Sequence, residues 1–312
     1  MTRALVFPGQ GSQFIGMGKL LAEAEPAARL VFEEVDDALS LHLSKIMWEG
    51  TDDDLRLTEN TQPALMAVSL AVIRTLEAGG ADVASIASHV AGHSLGEYSA
   101  LAAAHAFSIG DTARLLKRRG EAMQRAVPVG EGAMAAILGL SFDEVVAVVE
   151  AAAEGEVVVA ANDNADGQVV ISGHKAAVER AIDLAKEKGA KRGLLLPVSA
   201  PFHCSLMQPA ADEMRAALEE VTILRPTVPV IVNVLAVPIS EPEGIASLLV
   251  KQVTDVVRWR ESVGCMASLG IDHVIEIGAG KVLTGLVKRI DRSLSLTNIQ
   301  DPADIEAFAA TL

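Results

Sequence analysis

The sequence predicts an α/β protein with two parts: a large domain built on a parallel sheet, and a small domain inserted into it. Two observations predict this fold class. Three strand-loop-helix units are spread along the chain, and one β-α-β-β-α-β run lies in its middle. Size agrees with them, because 312 residues, 50% of them hydrophobic, are enough to bury a large core.

The parallel sheet is predicted from three short apolar runs, each of which ends in a glycine-bearing loop and is followed by a helix. The strands are predicted over residues 5–7, 86–91 and 273–277, and the helices begin near residues 16, 97 and 282. Strand-loop-helix units of this kind are typical of parallel sheets.

The middle of the chain has a different order of elements. Strands are predicted over residues 133–139, 157–161, 168–172 and 192–198, with helices over 141–154 and 175–188. Ser141, with Glu144 three residues later, forms a capping box at the first of these helices. This βαββαβ order is typical of a ferredoxin-like unit. We therefore predict a small ferredoxin-like subdomain over residues 128–198, inserted into a discontinuous catalytic domain over 1–127 and 199–312.

Composition excludes several classes of protein. A net charge of −15 and an aromatic content of 3% argue against nucleic-acid binding, which needs a basic face and stacking rings. No apolar run reaches the roughly 18 residues of a membrane span, so we expect no membrane association. The two cysteines, Cys204 and Cys265, have no metal-site spacing, so we expect neither a disulfide nor a metal, and a cytoplasmic location.

A candidate nucleophile lies in the second strand-loop-helix unit. The run Gly92-His93-Ser94-Leu95-Gly96 is G-x-S-x-G, and its position between a strand and a helix is that of a nucleophile elbow. Glycines let strand and helix approach closely, and the helix N-terminus offers free N–H groups to an oxyanion. This predicts an α/β-hydrolase-like large domain with Ser94 as nucleophile. The alternative is a glycine-bounded turn with an idle serine.

A serine hydroxyl needs a base within hydrogen-bond reach, and the chain has seven histidines. His93 adjoins the nucleophile and is suited to shaping the turn. His203 lies on the loop that leaves the small subdomain. The residues alone leave the choice open.

A nucleotide cofactor is not expected. Gly9-Gln10-Gly11 follows a strand as in a dinucleotide-binding loop, but Phe14 stands where that pattern needs glycine. We expect the protein to use no cofactor of its own.

Seven sequence blocks, in order along almost the whole chain, resemble those of the malonyl-CoA:acyl carrier protein transacylases and the related polyketide-synthase acyltransferase domains. They are FPGQGSQ at 7–13, TQPAL at 61–65, GHSLGEYSAL at 92–101, RRGEAMQ at 118–124, GQVVISG at 167–173, PFHCSLM at 201–207 and EIGAGKVLTGLVKRI at 276–290. Departures fall on usual glycine or proline positions of the family, at His105, Asp166, Val256 and Ala279.

The resemblance implies roles for individual residues. Ser94 would be the nucleophile and His203 the general base, with the backbone N–H groups of Gln10 and Leu95 forming the oxyanion hole. Arg119 would grip the malonyl carboxylate, for which a guanidinium fork is well matched.

Four further residues are implied at the substrate pocket. A backbone carbonyl near Gln252 would orient the base, Asn162 would border the pocket, Phe202 would leave little room for an α-methyl group, and His93 would shape the turn. The implied partners are malonyl-CoA and an acyl carrier protein, and we expect a monomer. With an ordinary imidazole pKa, transfer should fall below about pH 6.5 unless the pocket shifts His203.

Three alternatives remain from the sequence. A serine esterase or thioesterase could use the same elbow, a non-catalytic docking module could keep the fold, and a trans-acting acyltransferase could serve a polyketide assembly line with the same chemistry.

Overall fold

The computed structural model describes residues 2–198 and 200–312. Met1 and Ser199 lie outside the described residues, and so does the predicted start of the second catalytic segment at residue 199. The strands are β1 (Arg3–Phe7), β2 (His89–Gly92), β3 (Gly132–Leu138), β4 (Val158–Ala165), β5 (Gln168–His174), β6 (Arg192–Leu195), β7 (Val230–Ile231), β8 (Pro238–Ile239), β9 (His273–Ile277) and β10 (Ser295–Ile299).

The helices are α1 (Lys19–Ala24), α2 (Pro26–Leu39), α3 (Leu43–Glu49), α4 (Asp52–Arg56), α5 (Thr58–Ala78), α6 (Val83–Ile86), α7 (Leu95–Ala103), α8 (Ile109–Ala126), α9 (Phe142–Ala152), α10 (Lys175–Glu187), α11 (Gln208–Glu219), α12 (Pro242–Gln252), α13 (Trp259–Ser268), α14 (Val282–Ile290) and α15 (Pro302–Ala309), with a short 3₁₀ helix at Ser205–Met207. Within the described ranges, none of these helices is both long and apolar enough to cross a bilayer.

The large sheet has the strand order β10-β9-β1-β2-β7-β8. Neighbours from β10 to β7 run parallel, and β8 runs antiparallel to β7. Helices cover both faces of this sheet. Alternate side chains of β1 point to opposite faces, and each set packs in a different hydrophobic cluster. Leu5 and Phe7 pack with buried side chains of α5, α7 and α8, whereas Ala4 and Val6 pack with those of α13 and α14. The predicted α/β class with a parallel sheet is confirmed.

A second, separate sheet has the order β4-β5-β3-β6, and all its neighbours run antiparallel. α9 and α10 pack against it around a core of their own. The predicted capping box is present, since the Ser141 side chain accepts from Glu144 N while the Glu144 carboxylate accepts from Ser141 N. All four strands and both helices of the βαββαβ run therefore form in the predicted order.

Element boundaries differ from the predictions where a local signal was overlooked. The strand predicted over 86–91 begins only at His89, because Asp82 caps the short helix α6 before it by accepting from Ser85 N. The strand predicted over 192–198 ends at Leu195, before Pro197, which has no N–H to continue the ladder. The strand predicted to end at 161 continues as β4 to Ala165 through two register shifts.

The carboxyl ends of the parallel strands meet at one edge of the large sheet. Gln10 follows β1, Ser94 follows β2, Asn233 follows β7 and Val282 follows β9. Ligand sites of open α/β sheets form at this edge. The four residues therefore mark the region of the molecule in which a site is expected.

We expect Ser141→Ala to lower the free energy of unfolding by about 1 kcal/mol, because it removes the cap of α9. Urea unfolding followed by circular dichroism measures this change. Ser268→Ala is the control, since Ser268 is the exposed last residue of α13 and its hydroxyl donates to Cys265 O within the same helix. The control should change stability by less than about 0.5 kcal/mol, and equal effects would contradict a capping role.

Candidate active site

Ser94 lies on a sharp turn between β2 and α7. It is the N-cap residue of α7 with φ 53° and ψ −111°, a left-handed φ that is strained for a residue with a side chain. The glycines on either side allow this turn. A Cβ on Gly92 would lie 1.9 Å from the Gly96 carbonyl group, and one on Gly96 would lie 2.2 Å from Phe7 O. The sequence motif is therefore required by close packing of strand and helix.

His203 is the histidine that reaches Ser94. Its Nε2 lies 2.9 Å from Ser94 Oγ, and its Nδ1 lies 2.7 Å from the main-chain oxygen of Gln252. A carbonyl oxygen can only accept, so Nδ1 carries the proton and Nε2 is left as the acceptor for the serine hydroxyl. This is the tautomer that a general base requires.

Burial sets the protonation state of His203. Its side chain is almost fully buried. Burial, followed by the positive charge of Arg119, lowers the pKa of His203 to about 3. The imidazole is therefore neutral throughout the physiological pH range, and the fall in transfer near pH 6.5 expected for an ordinary histidine moves to lower pH.

Arg119 is a buried cation in contact with Ser94. It extends from α8 with 1% of its surface exposed. Nη1 donates to Gln62 Oε1 at 2.7 Å, and Nη2 donates to Gln252 Oε1 at 2.9 Å and to Ser94 Oγ at 3.2 Å. Its guanidinium lies 5.6 Å from the ring centre of Tyr98. Burial lowers the pKa of Arg119, but a guanidinium remains charged in proteins.

Ser94, His203 and Arg119 open onto one cavity of about 360 Å³ between the two sheets. Five other residues named from the sequence also line it, namely Gln10, Leu95, Asn162, Phe202 and His93. Gln252 is fully buried behind the wall, where it bonds to His203 and Arg119. The structure thus brings all nine predicted site residues into one region, eight on the cavity wall and one behind it.

Gln10 and Leu95 line the same cavity as Ser94. Leu95 is the first residue of α7, and the N–H of a first helical residue has no acceptor within its helix. Gln10 follows β1, and its side chain accepts from Thr58 Oγ1 at 3.1 Å.

The cavity wall on the side of the small sheet contains two asparagines of β4. Asn162 is buried and borders the cavity, and its backbone pairs with Val257. Asn164 Oδ1 accepts at 2.8 Å from Nε2 of His93, and burial lowers the pKa of His93. His93 therefore connects the turn at Ser94 to the small sheet.

Sequence reasoning missed four residues that support this site: Gln62, Glu97, Asn164 and Asn233. Asn233 Oδ1 accepts from Ser94 N at 2.7 Å, and its Nδ2 donates to Gly92 O at 2.6 Å. A signal for Asn233 exists, because it is the polar residue inside the apolar run at 228–237. Gln62 and Glu97 lie within the quoted blocks TQPAL and GHSLGEYSAL, but no spacing rule assigns them a contact.

The arrangement can carry out acyl transfer. A hydroxyl lies between a neutral base and a buried guanidinium, and the N-terminus of α7 begins at the same residue. A base beside a serine activates it for attack on a carbonyl, and helix N-terminal amides can bind the resulting oxyanion. The guanidinium would bind a carboxylate on the acyl group in a site that water does not screen.

Comparison with known proteins agrees with this chemistry. Residues 4–305 match the family model described as the acyl transferase domain. The chain is 47% identical over 310 residues to a malonyl CoA-acyl carrier protein transacylase of Bacillus subtilis, covering 99% of this chain and 96% of the relative.

Two solved structures are similar over their whole length. An acyl-carrier-protein-S-malonyltransferase from Bartonella henselae is 56% identical with a TM-score of 0.98, covering 100% of this chain and 99% of that one. A malonyl-transacylase solved in complex with a type II PKS acyl-carrier protein is 42% identical with a TM-score of 0.97, covering 100% of both chains. The chain therefore belongs to the acyl transferase domain family and, within it, to the malonyl CoA-acyl carrier protein transacylases.

Proposed function

We propose that the protein transfers the malonyl group from malonyl-CoA to the thiol of an acyl carrier protein through a malonyl ester on Ser94. One observation carries this proposal: Ser94 Oγ lies 2.9 Å from His203 Nε2 and 3.2 Å from Arg119 Nη2. His203 would activate the Ser94 hydroxyl for nucleophilic attack. The buried guanidinium of Arg119 would bind the negatively charged carboxylate of the malonyl group.

The first half-reaction loads the enzyme. His203 Nε2 takes the proton of Ser94 as Oγ attacks the thioester carbonyl. The N–H groups of Gln10 and Leu95 stabilise the oxyanion of the tetrahedral intermediate. The C–S bond then breaks, and His203 returns its proton to the sulfur of coenzyme A, which leaves as the thiol.

The second half-reaction reverses these steps with a different thiol. The pantetheine thiol of the carrier gives its proton to His203 and attacks the ester carbonyl. Collapse of the intermediate breaks the bond to Ser94 Oγ, which recovers the proton. No cofactor is needed for this balance, and its absence from the active enzyme stays a prediction.

The cavity supports selection of the malonyl group. Arg119 would pair its two terminal nitrogens with the malonyl carboxylate, in a site walled by Met123 and Met134. Phe202 would restrict the room beside the α-carbon. Arg119 and Phe202 are both buried, so the surrounding protein holds each of them in place.

We also propose that residues 128–198 form a ferredoxin-like subdomain inserted into an α/β-hydrolase-like catalytic domain. The order β4-β5-β3-β6 supports this proposal, since it corresponds to 2-3-1-4 within a βαββαβ unit. The subdomain would form one wall of the cavity at Ser94, to which it contributes Asn162, Val170 and Leu196. A monomeric state and a cytoplasmic location stay predictions.

A serine esterase or thioesterase would use the same Ser94 and His203. The buried Arg119 favours transfer of a dicarboxylic acyl group over general ester hydrolysis. Adding a carrier thiol to the malonylated protein separates the two, because a transferase releases the acyl group faster to the thiol than to water. Offering both a fatty-acid and a polyketide carrier separates the two transferase functions.

We expect Ser94→Ala to abolish formation of the acyl adduct, because it removes the only oxygen placed beside His203 Nε2 by the described contacts. Intact-mass measurement after incubation with malonyl-CoA detects the adduct as an added malonyl mass. Ser99→Ala is the control, a buried serine on the same helix, and should retain the adduct. A full malonyl adduct on Ser94→Ala would end the assignment.

Arg119→Ala should reduce malonyl transfer by the equivalent of about 2–5 kcal/mol, because the malonyl carboxylate would lose its buried partner. Acetyl transfer, which needs no such partner, should be retained or increased. Arg118→Ala is the matched control, since the neighbouring arginine pairs at the surface with Glu213 and Glu220. Equal losses of malonyl and acetyl transfer on Arg119→Ala would exclude the carboxylate clamp.

Acetylation of Ser94 should keep its rate between about pH 8 and pH 5. The lowered pKa of His203 means that its neutral, basic form persists below the ordinary imidazole value of about 6.5. Single-turnover reaction with acetyl-CoA measures this rate. A rate that halves near pH 6.5 and falls tenfold per unit below it would contradict a buried neutral base.

The lowered pKa of His203 also makes the stability of the fold depend on pH. Unfolding exposes His203 to protonation, so its contribution to stability is complete above about pH 6.5 and decreases as the pH falls toward about 3. Circular dichroism at each pH therefore accompanies the rate measurement, to establish that the protein is folded.

A further inference from the structure

We propose that Glu97 is a positioning residue that fixes the side-chain amide of Gln252 and, through it, the guanidinium of Arg119 that receives the malonyl carboxylate. This inference rests on the proposed function of Arg119. Glu97 contacts neither Ser94 Oγ nor His203 Nε2. Its effect reaches the guanidinium through two hydrogen bonds, one from Gln252 to Glu97 and one from Arg119 to Gln252.

Glu97 is a carboxyl group sealed inside the protein. It lies in the first turn of α7, three residues after Ser94, and 1% of its surface is exposed. Its Oε2 accepts from Asn233 N at 2.9 Å and from Gln252 Nε2 at 2.9 Å. An acid in the first turn favours any helix by a few tenths to about 1 kcal/mol, but that benefit does not require burial or these two partners.

Gln252 has hydrogen-bonding partners of opposite kind on its two amide atoms. Nε2 donates to Glu97 Oε2 and to Ser94 O, and Oε1 accepts from Arg119 Nη2. If the amide rotated by half a turn, its NH₂ would face the guanidinium and its oxygen would face two acceptors. All three bonds would be lost in a place that water does not reach. Glu97, together with Ser94 O and Asn233 Oδ1, therefore fixes which end of the amide Arg119 meets.

Arg119 depends on this orientation because its direct partners are neutral. The guanidinium is held by Gln62 Oε1, Gln252 Oε1 and Ser94 Oγ. The negative charge of Glu97 acts on the guanidinium of Arg119 without direct contact, because Gln252 lies between the two side chains. A carboxylate in direct contact with Arg119 would occupy the guanidinium that the malonyl group needs. A carboxylate behind Gln252 offsets part of the buried charge without placing a competing carboxylate on the guanidinium.

The arrangement tolerates either protonation state of Glu97. Burial raises its pKa to about 7, against the opposing effects of Asn233, Gln252 and Arg119. Oε2 receives both hydrogen bonds, so a proton would reside on Oε1 and leave the two contacts in place. The essential feature is an acceptor oxygen at the position of Oε2.

The general base is held differently from the clamp. His203 Nδ1 bonds to the main-chain oxygen of Gln252, which does not move when the side-chain amide rotates. Loss of Glu97 should therefore weaken malonyl transfer more than acetyl transfer. The ratio of the two rates isolates this effect, because both are measured on one sample and a loss of folded protein lowers them together.

The test uses Glu97→Leu and Glu97→Gln with malonyl-CoA and acetyl-CoA as acyl donors. Leucine removes the acceptor, so the malonyl-to-acetyl ratio should fall by about ten- to a hundred-fold, the cost of a reacting group displaced by roughly 1 Å. Glutamine keeps a carbonyl oxygen and should restore most of the ratio. An unchanged ratio on Glu97→Leu would overturn the proposal, as would a ratio that Glu97→Gln does not restore.

A double-mutant comparison and a matched control complete the experiment. In an Arg119→Ala background, Glu97→Leu should leave the ratio unchanged, because the residue through which it acts is gone; an equal fall in both backgrounds would overturn the proposal. Glu276→Leu removes another buried carboxylate, which caps α14 through Leu283 and Thr284, and should lower stability with the ratio unchanged.

Glu97→Asp decides the matter if Glu97→Leu does not fold. It keeps the charge but withdraws the oxygen by one methylene, so the malonyl-to-acetyl ratio should still fall. A wild-type ratio in that variant would overturn the proposal. Absence of malonyl transfer by the wild-type protein would instead contradict the proposed function.

Discussion

A positive charge enclosed in the protein interior constrains the whole active region. Arg119 is buried, and an isolated buried charge is strongly unfavourable unless hydrogen bonds surround it. The chain supplies oxygen atoms from three different elements, Gln62 on α5, Gln252 at the end of α12 and Ser94 before α7. These segments must meet for the guanidinium to be tolerated, so the cost of burying it ties distant parts of the fold to Ser94.

The α/β class, the parallel sheet and most of the βαββαβ run could be predicted from the sequence, because apolar periodicity and glycine-bearing loops are local signals. The capping box at Ser141 is also local and formed as expected. The predicted start of β2 is too early, since the local cap of a four-residue helix at Asp82 competes with an apolar run. Strand order in either sheet is set by contacts between distant segments, which no local pattern encodes.

The same distinction between local signals and contacts of distant segments applies to the active-site residues. Ser94 could be predicted from a motif whose glycines have a steric reason, and the cavity residues followed from the family blocks. The choice of His203 among seven histidines needed the resemblance, because its 2.9 Å contact joins residues 109 positions apart. Asn233 and Glu97 were missed for the same reason. Their function lies in buried hydrogen bonds to segments distant in the sequence, and a single sequence carries no record of such pairs.

The partner of His203 Nδ1 has a consequence for the kinds of bond this protein can break. A main-chain carbonyl offers a partial dipole where many serine enzymes place a full negative charge, so the protonated imidazole is less stabilised here. A thiol, with a pKa of about 8.5, departs readily and asks little of its acid catalyst. In the proposed reaction, the carbonyl behind His203 therefore suits the expulsion of a thiolate, which needs little help from a proton donor.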